Sequence, residues 1–355
     1  MTEGLKKAMP GATMQSFPLA DGGEGTLNVL TQLFSLDSIT VEVHDPLFRK
    51  IESVYGINEY EGLAVVEMAK ASGLGLLDDA ERNCLKTSTL GTGELIADAL
   101  SKEVKHIILT VGGSATNDGG IGMAHALGYK FIDDAGEALE PVGENLSRIR
   151  AIDASSAHPR IRHTKFTVLT DVTNPLYGPE GAVYVYALQK GAPSDKLPLL
   201  DHGLRNLSSL WLQILNQDFS GLEGGGAAGG LGAGAAAFLN ARIKGGAQAI
   251  LSMSGFTDAV KKSDVVITGE GKLDKQSLYG KVVGEVCCTC RREHRKAMAV
   301  AGQCELTVAE LREMGLGGVV TLTEVASLQE ALANSFAVIT EAVSPKIATL
   351  LRQIV

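Results

Sequence analysis

Aromatic side chains are scarce in this chain, at 5% of residues with a single tryptophan, and the 32 Lys and Arg are outnumbered by 41 Asp and Glu. A nucleic-acid groove needs a basic stripe interleaved with stacking aromatics, so no nucleic-acid partner is expected. The net charge of −9 also repels anions at long range. An anionic ligand must therefore be held by local cations or backbone dipoles. Cysteines number five (Cys84, Cys287, Cys288, Cys290, Cys304), an odd count that favours reduced thiols and a cytoplasmic location. Cys287-Cys288-Thr289-Cys290 lacks the paired CxxC spacing of a zinc site and reads as thiols on a helix. Met1 is followed by Thr-Glu-Gly-Leu-Lys-Lys rather than an apolar h-region, which argues against secretion. The softest run, Gly224 to Leu239, is mostly Gly and Ala, and falls short of the roughly 18 apolar residues a membrane span needs. No membrane partner is expected. The seven histidines show no HExxH or i,i+4 pair and receive no role.

What is abundant is glycine, 42 residues in a chain of 355. That length exceeds one ordinary core and predicts two α/β lobes. Short β-type runs alternate with helix-period stretches, the signature of βαβ units. Ser16–Ala20 reads as a strand end, and Thr26 as the cap of a helix presenting Leu27, Leu30 and Phe34. Candidate strands follow at Val41–Val43, Ser53–Ile57 and Leu63–Glu67. Gly91-Thr92-Gly93 precedes a helix that buries Leu95, Ile96, Ala99 and Leu100. Strands are expected at His106–Val111 and Lys165–Val172, and an amphipathic helix running outside the core at Pro198–Leu215. The last third repeats strand–helix units, with strands at Asp264–Thr268, Ala297–Ala301 and Gly318–Leu322 and helices near 277–292, 307–314 and 327–353, as in one half of a doubly wound sheet. The chain is expected to cross between lobes near residues 40 and 245, giving lobes of 1–40 with 245–355 and of 41–244.

Four loops concentrate glycine beside carboxylates and hydroxyls: ADGGEGT at 20–26, VGGSATNDGG at 111–120, TDVTNPLYGPEGA at 170–182 and TGEGKLDKQS at 268–277. Such loops let backbone N–H groups approach an anion while side chains handle a metal or proton. Gly112 to Gly120 follows a strand and opens a helix, so Gly112, Gly113, Ser114, Thr116, Asn117 and Asp118 are candidates for an anion nest. It carries neither the Gly-Lys-Ser/Thr of a Walker A loop nor Rossmann spacing. A tight turn needing positive φ explains the glycines but not the run of polar residues. Asp171 ends an apolar strand, where a carboxylate can accept a hydroxyl proton or hold Mg²⁺; an Asx-turn before Pro175 is the plainer alternative. Glu270, Lys272 and Asp274, and separately Asp21 and Glu24, form the remaining clusters, each also readable as a solvated charged turn. Lys190, Lys272, Lys275 and Lys281 lie in or near these loops and supply local positive charge. Gly232 to Ala237 fits G-x-G-x-x-A, but no strand precedes it and helix packing is the expected cause.

Taken together, the loops resemble the bacterial-type glycerate kinase family (class I glycerate 2-kinases). The resemblance runs in order from Ala20–Thr26 through Thr89–Glu94, Gly112–Gly120 with Gly122-Met123, Asp171–Leu176, Gln189–Ala192 and Gly226–Gly232 to Thr268–Ser277 with Gly280-Lys281. It implies a flavodoxin-like doubly wound lobe made from both chain ends and a mixed α/β lobe inserted between them, with the active site in the cleft between the two. It implies ATP and Mg²⁺ as cofactors and D-glycerate as the small-molecule partner, with 2-phosphoglycerate as product; a homodimer is compatible with it. Departures are Leu188 and Val283, where proline is common, and the beginning of the chain. Family members open with a strand and an Asp-Ser-Phe-Lys-Gly loop, whereas Thr2–Met9 matches the end of the helix that follows them. On this likeness a buried strand and a phosphate-facing lysine loop are expected to be missing.

The implied mechanism is in-line phosphoryl transfer, which depends on positioning and charge neutralisation. Asp171 is then the hydroxyl-orienting base and Gly112–Asp118 the phosphate cradle. Lys272 offsets developing charge, and Asp21, Glu24, Asn174, Lys190, Glu270 and Asp274 contact substrate or Mg²⁺, with Asp21 and Glu270 as metal ligands. Two other classes compete: a silent nucleotide- or hydroxy-acid-binding relative, and a flavin- or nicotinamide-dependent oxidoreductase, against which the missing fingerprint argues.

Overall fold

The computed structural model describes every residue except Tyr279, Gly280 and Val355, so the Gly280 of the resemblance lies outside it. The chain forms two compact units, Met1–Leu19 with Ala247–Val355, and Ala20–Gly246. No helix among the described residues is long and apolar enough to cross a membrane.

In the unit Ala20–Gly246, strands β1 (Asp37–His44), β2 (Lys50–Asn58), β3 (Leu63–Glu67), β4 (His106–Thr110), β7 (Lys165–Leu169) and β8 (Arg242–Lys244) form one sheet in the order β1-β2-β3-β4-β7-β8. A separate antiparallel pair joins β5 (Lys130–Ile132) to β6 (Ala151–Asp153). The first three strands of the large sheet pair antiparallel, and β3, β4, β7 and β8 run parallel. The carboxyl ends of β3, β4 and β7, at Glu67, Thr110 and Leu169, therefore lie along one edge, where open α/β sheets place ligands. All five residues of β3 are buried, as expected for a strand covered on both faces.

The early crossing lies at Leu19 and Ala20, not near residue 40. The reason is the Thr26–Phe34 helix, which buries Leu27 and Leu30 on this unit. A Cβ on Gly56 of β2 would lie 3.2 Å from Leu27 Cδ1, so helix and sheet are in close packing. The second crossing falls between Gly246 and Ala247.

Leu95, Ile96, Ala99 and Leu100 are fully buried, but their helix spans Leu90–Ser101 and encloses the Gly-Thr-Gly segment. A Cβ on Gly91 would sit 1.9 Å from the His44 carbonyl, and one on Gly93 2.4 Å from that of Met123. These glycines let the helix press against its neighbours. The Leu197–Leu215 helix buries Leu200, Leu204, Leu207 and Trp211 while leaving Leu199, Leu212 and Ile214 exposed. The G-x-G-x-x-A segment lies in the Ala227–Leu239 helix, where a Cβ on Gly234 would be 2.2 Å from the Gly119 carbonyl.

In the other unit, β9 (Val265–Leu273), β10 (Lys296–Cys304) and β11 (Leu316–Thr321) form a parallel sheet in the order β11-β10-β9. Alternation along β10 sends Ala297, Ala299 and Ala301 into one cluster with Val283, Val286 and Cys287. Met298 and Val300 enter another with Leu5, Val343, Ile347 and Leu351. A parallel sheet covered on both faces follows. Ser16–Ala20 is irregular rather than a strand. Phe17 and Leu19 instead pack their side chains into the first cluster, Phe17 edge-on to Phe256 at 5.4 Å. The helix expected over 327–353 is divided into Leu328–Ala333, Ser335–Ala337, a π-turn at Val338–Val343 and Ser344–Ile354. Pro345 has no N–H to donate one turn back, and Ser344 Oγ donates to the Ile339 carbonyl at 2.7 Å.

Candidate functional site

The 20–26 segment crosses the carboxyl ends of the parallel strands as a strap. Gly22 (φ 91°) passes so close to β7 that a Cβ would lie 2.6 Å from the Leu169 carbonyl. Gly112 N–H then donates to the Gly22 carbonyl at 3.1 Å, and a Cβ on Gly112 would meet Gly23 Cα at 2.4 Å. Gly113 (φ 73°) faces Glu24, whose Oε1 stands 2.6 Å from where its Cβ would be. The strap ends at β3. There the buried Glu67 carboxylate accepts from Gly25 N at 3.1 Å and Leu27 N at 2.8 Å. Thr26 is therefore not the cap of its helix: the cap residue is Gly25, and the capping oxygens come from Glu67. Beside it an open depression of about 320 Å³ is lined by Glu24, Glu67 and Lys70, among others.

The 111–120 loop has two halves of different character. Gly112 and Gly113 reach solvent and Ser114 is 7% exposed, but Thr116, Asn117 and Asp118 are fully buried. Asp118 accepts from Thr89 N (2.8 Å), Thr89 Oγ1 (2.7 Å), Gly120 N (3.0 Å) and Gly122 N (3.2 Å). It joins the start of the Leu90–Ser101 helix to that of the Ile121–Ala126 helix. Burial pushes its carboxyl pKa up, against these hydrogen bonds. Asn117 keeps both side-chain polar atoms without a partner among the described residues, as does Thr116 Oγ1. The 116–118 half is thus enclosed rather than presented, because the Ala228–Gly230 segment (φ 53°, 64°, 93°) lies against it; a Cβ on Gly229 would be 2.1 Å from the Thr116 carbonyl.

Lys190 is only 4% exposed, and its Nζ donates to Ser114 Oγ at 2.6 Å and to the Thr116 carbonyl at 2.9 Å. Its own carbonyl accepts from Cys84 N at 3.1 Å. Burial lowers the Lys190 pKa to about 8, with Cys84 and Asp118 opposing, and raises that of Cys84 to about 11. Lys190, expected at substrate or Mg²⁺, is thus bonded to the glycine loop itself.

Asp171 falls two residues past the end of β7 and is half-buried. Asn174 Nδ2 donates to the Glu180 carbonyl at 2.8 Å and its Oδ1 accepts from Tyr186 at 2.7 Å, so its carboxamide shapes the 174–186 turn. The buried Asp201 accepts from Gly178 N (2.7 Å) and Arg205 Nε (2.9 Å), and the Arg205 guanidinium stacks over Tyr177 at 4.4 Å. Asp21, exposed, accepts from Gly23 N at 3.0 Å.

In the other unit, Gly269 to Leu273 belongs to β9 rather than to a loop, since Gly269, Glu270, Lys272 and Leu273 pair in register with Val300, Ala301, Gln303 and Cys304. Glu270 accepts from Ser277 Oγ at 2.8 Å and lies 3.7 Å from Lys281 Nζ. Lys272 is exposed and paired with Glu305 at 2.8 Å, which raises its pKa. The Asp274 carbonyl accepts from Ser277 N at 3.0 Å.

The family described as the glycerate kinase family matches residues 1–352. The chain belongs to the glycerate kinase family. It is 40% identical over 331 residues to the glycerate kinase of Halalkalibacterium halodurans, covering 93% of this chain and 87% of that one. It is 36% identical over 335 residues to the glycerate 2-kinase of Escherichia coli, with 94% and 88% covered. The crystal structure of the protein assigned as glycerate kinase 2 in Salmonella typhimurium LT2 superposes with a TM-score of 0.84 at 36% identity, covering 99% of this chain and 92% of that one.

Three residues of this glycerate kinase family member escaped the sequence reading. Glu67 looked like the last residue of a strand and Cys84 like an ordinary thiol, while Asp201 drew no attention within its amphipathic helix. A carboxylate terminating an otherwise apolar strand was the one local signal available, at Glu67. Among the described residues no three His, Cys, Asp or Glu stand together as a metal centre. The exposed Asp21 with the neighbouring Glu24 fits a magnesium ion that shares its coordination with phosphate oxygens, which takes only one or two protein carboxylates.

Proposed function

We propose that this chain transfers the γ-phosphoryl group of MgATP to a hydroxyl of D-glycerate, giving 2-phosphoglycerate, in the cytoplasm. The observation that carries the reading is the apposition of the 20–26 strap and Gly112–Ser114 at the carboxyl ends of β3, β4 and β7, backed by a buried ammonium. Relatives named glycerate kinase and glycerate 2-kinase support the substrate. Five cysteines without disulfides suit a reducing compartment.

On this reading Gly112, Gly113 and Ser114 touch the nucleotide phosphates, and Thr116, Asn117 and Asp118 hold that loop in shape. Asp171 orients the glycerate hydroxyl and accepts its proton. Asp21 and Glu24 are the carboxylates that would hold magnesium, which when bound neutralises phosphate charge. Asn174 shapes the turn that carries Asp171. Glu270 and Asp274 are assigned to substrate or metal contact, and Lys272 to charge neutralisation during transfer. Its pairing with Glu305 means Lys272 must exchange one anionic partner for another.

Purified protein incubated with MgATP and D-glycerate is expected to give 2-phosphoglycerate, read by phosphorus NMR. Asp171→Asn should lower turnover by well over tenfold; a variant within tenfold of the parent removes Asp171 from the role of base. No phosphorylated product from the parent protein refutes the reading as a whole.

A further inference from the structure

The contact between Lys190 and Ser114 fixes a direction of hydrogen bonding. A lysine ammonium has three donors and no acceptor, so Ser114 Oγ must accept at 2.6 Å. The serine proton must then leave on another side, and among the described residues the hydroxyl makes no second hydrogen bond. Ser114 is followed by the enclosed half of the loop and preceded by the solvent-reaching Gly112 and Gly113. The ammonium itself is held rigidly. Its residue closes a short 3₁₀ turn, Leu188–Lys190, ended by Gly191 at φ 81°, where a Cβ would lie 1.9 Å from the Arg82 carbonyl. Cys84 N and Ala187 O bond the Lys190 backbone at 3.1 Å each.

Burying an ammonium costs several kcal/mol unless partners compensate, and a neutral methionine would fill the same space. A charge kept there therefore does something that shape alone does not. We propose that Lys190 is a positioning residue that fixes the Ser114 hydroxyl as a donor, so that the Gly112–Ser114 corner selects an ionised ligand oxygen, of a phosphoryl group or a carboxylate. This rests on the kinase reading for the identity of the ligands, not for the polarity of the corner. Lys190 gives a short charge-assisted bond, which polarises the serine O–H outward.

The test uses the full chain with Ser114→Ala, Lys190→Met and the double variant, each checked for folding by Trp211 emission. Each single variant should lower kcat/KM for one of the two substrates by about 10- to 100-fold, the range expected for a lost hydrogen bond to a charged group. A loss confined to MgATP identifies a phosphoryl oxygen, and one confined to D-glycerate a carboxylate. The double variant should be no worse than the worse single variant, because one bond cannot be lost twice. Effects that multiply, or a single variant within about threefold of the parent, overturn the proposal. Should Lys190→Met not fold, Ser114→Ala decides alone by the same criterion. If the parent shows no turnover, the kinase reading has failed and calorimetry with inorganic phosphate takes over. Binding by the parent that Ser114→Ala loses supports the donor, whereas equal or absent binding refutes it.

Discussion

Glu67 offers a perturbation whose size follows from its contacts. The carboxylate lies at the end of β3, is 1% exposed, and accepts from Gly25 N and Leu27 N of a helix that begins some 40 residues earlier in the chain. The nearest cation is Lys70, at 3.9 Å. Hydrogen bonds to a charged group each contribute about 1.5–3 kcal/mol net, and removing the acceptor leaves the buried Leu27 N–H and the half-buried Gly25 N–H without it. Relief of the buried charge offsets part of the loss. Glu67→Ala should therefore destabilise the unit Ala20–Gly246 by about 3 kcal/mol, and Glu67→Gln by about 2 kcal/mol, since one amide oxygen remains. Trp211, the single tryptophan, is buried in this unit's core against Phe219 and Phe238, so its emission during urea unfolding reports this unit. The expected signature is a lower midpoint with an unchanged slope. A Glu67→Ala shift worth less than about 1 kcal/mol would show that water or backbone movement replaces the carboxylate, and the account of the strap anchored at β3 would be wrong.

Two further outcomes follow from the same contacts. Gly112→Ala places a Cβ 2.4 Å from Gly23 Cα, backbone against backbone, so strap and glycine loop must part. Steady-state kinetics should show roughly a 100-fold loss in kcat/KM with the Trp211 emission of the folded protein retained, as for an angstrom-scale misplacement; parental activity would mean the apposition does not matter. For Lys190, activity and stability should respond oppositely to alkali. With the native pKa near 8 and the ordinary value at 10.5, the unfolded chain holds the extra proton between them, so stability rises with pH across that window, by at most about 3 kcal/mol. Turnover should instead fall as the ammonium is lost above pH 8, with the neighbouring Cys84 still protonated and Asp118 the facing carboxylate. Comparing the parent with Lys190→Met by urea unfolding at pH 8 and 10 isolates this term, and an identical pH dependence in both removes it.

Local periodicity told much of this fold. Leu63–Glu67 is a strand with the bounds its apolar run suggested, and Leu95, Ile96, Ala99 and Leu100 are buried at the helical spacing that singled them out. The Gly-Ala run after Gly226 is a packed helix, as the lack of a preceding strand implied. Misreadings arose where a partner lay far along the chain. Thr26 had the chemistry of a cap, yet the capping oxygens belong to Glu67. Gly269–Leu273 had the composition of a loop, yet its backbone found a ladder on β10.

The amino-acid order by itself determined the α/β class, the places where glycine must stand, and the set of loops that carry the family likeness, because these depend on spacing and backbone permissiveness within a few residues. Only the folded chain decided which polar groups face outward. Ser114, Asp118 and Lys190 look equally available as letters. Burial and pairing across 76 residues turn Lys190 and Ser114 into one bonded unit and commit Asp118 to two helix starts. Such pairings are tertiary: a buried charge is tolerated only where distant segments supply its hydrogen bonds, and no local pattern records them.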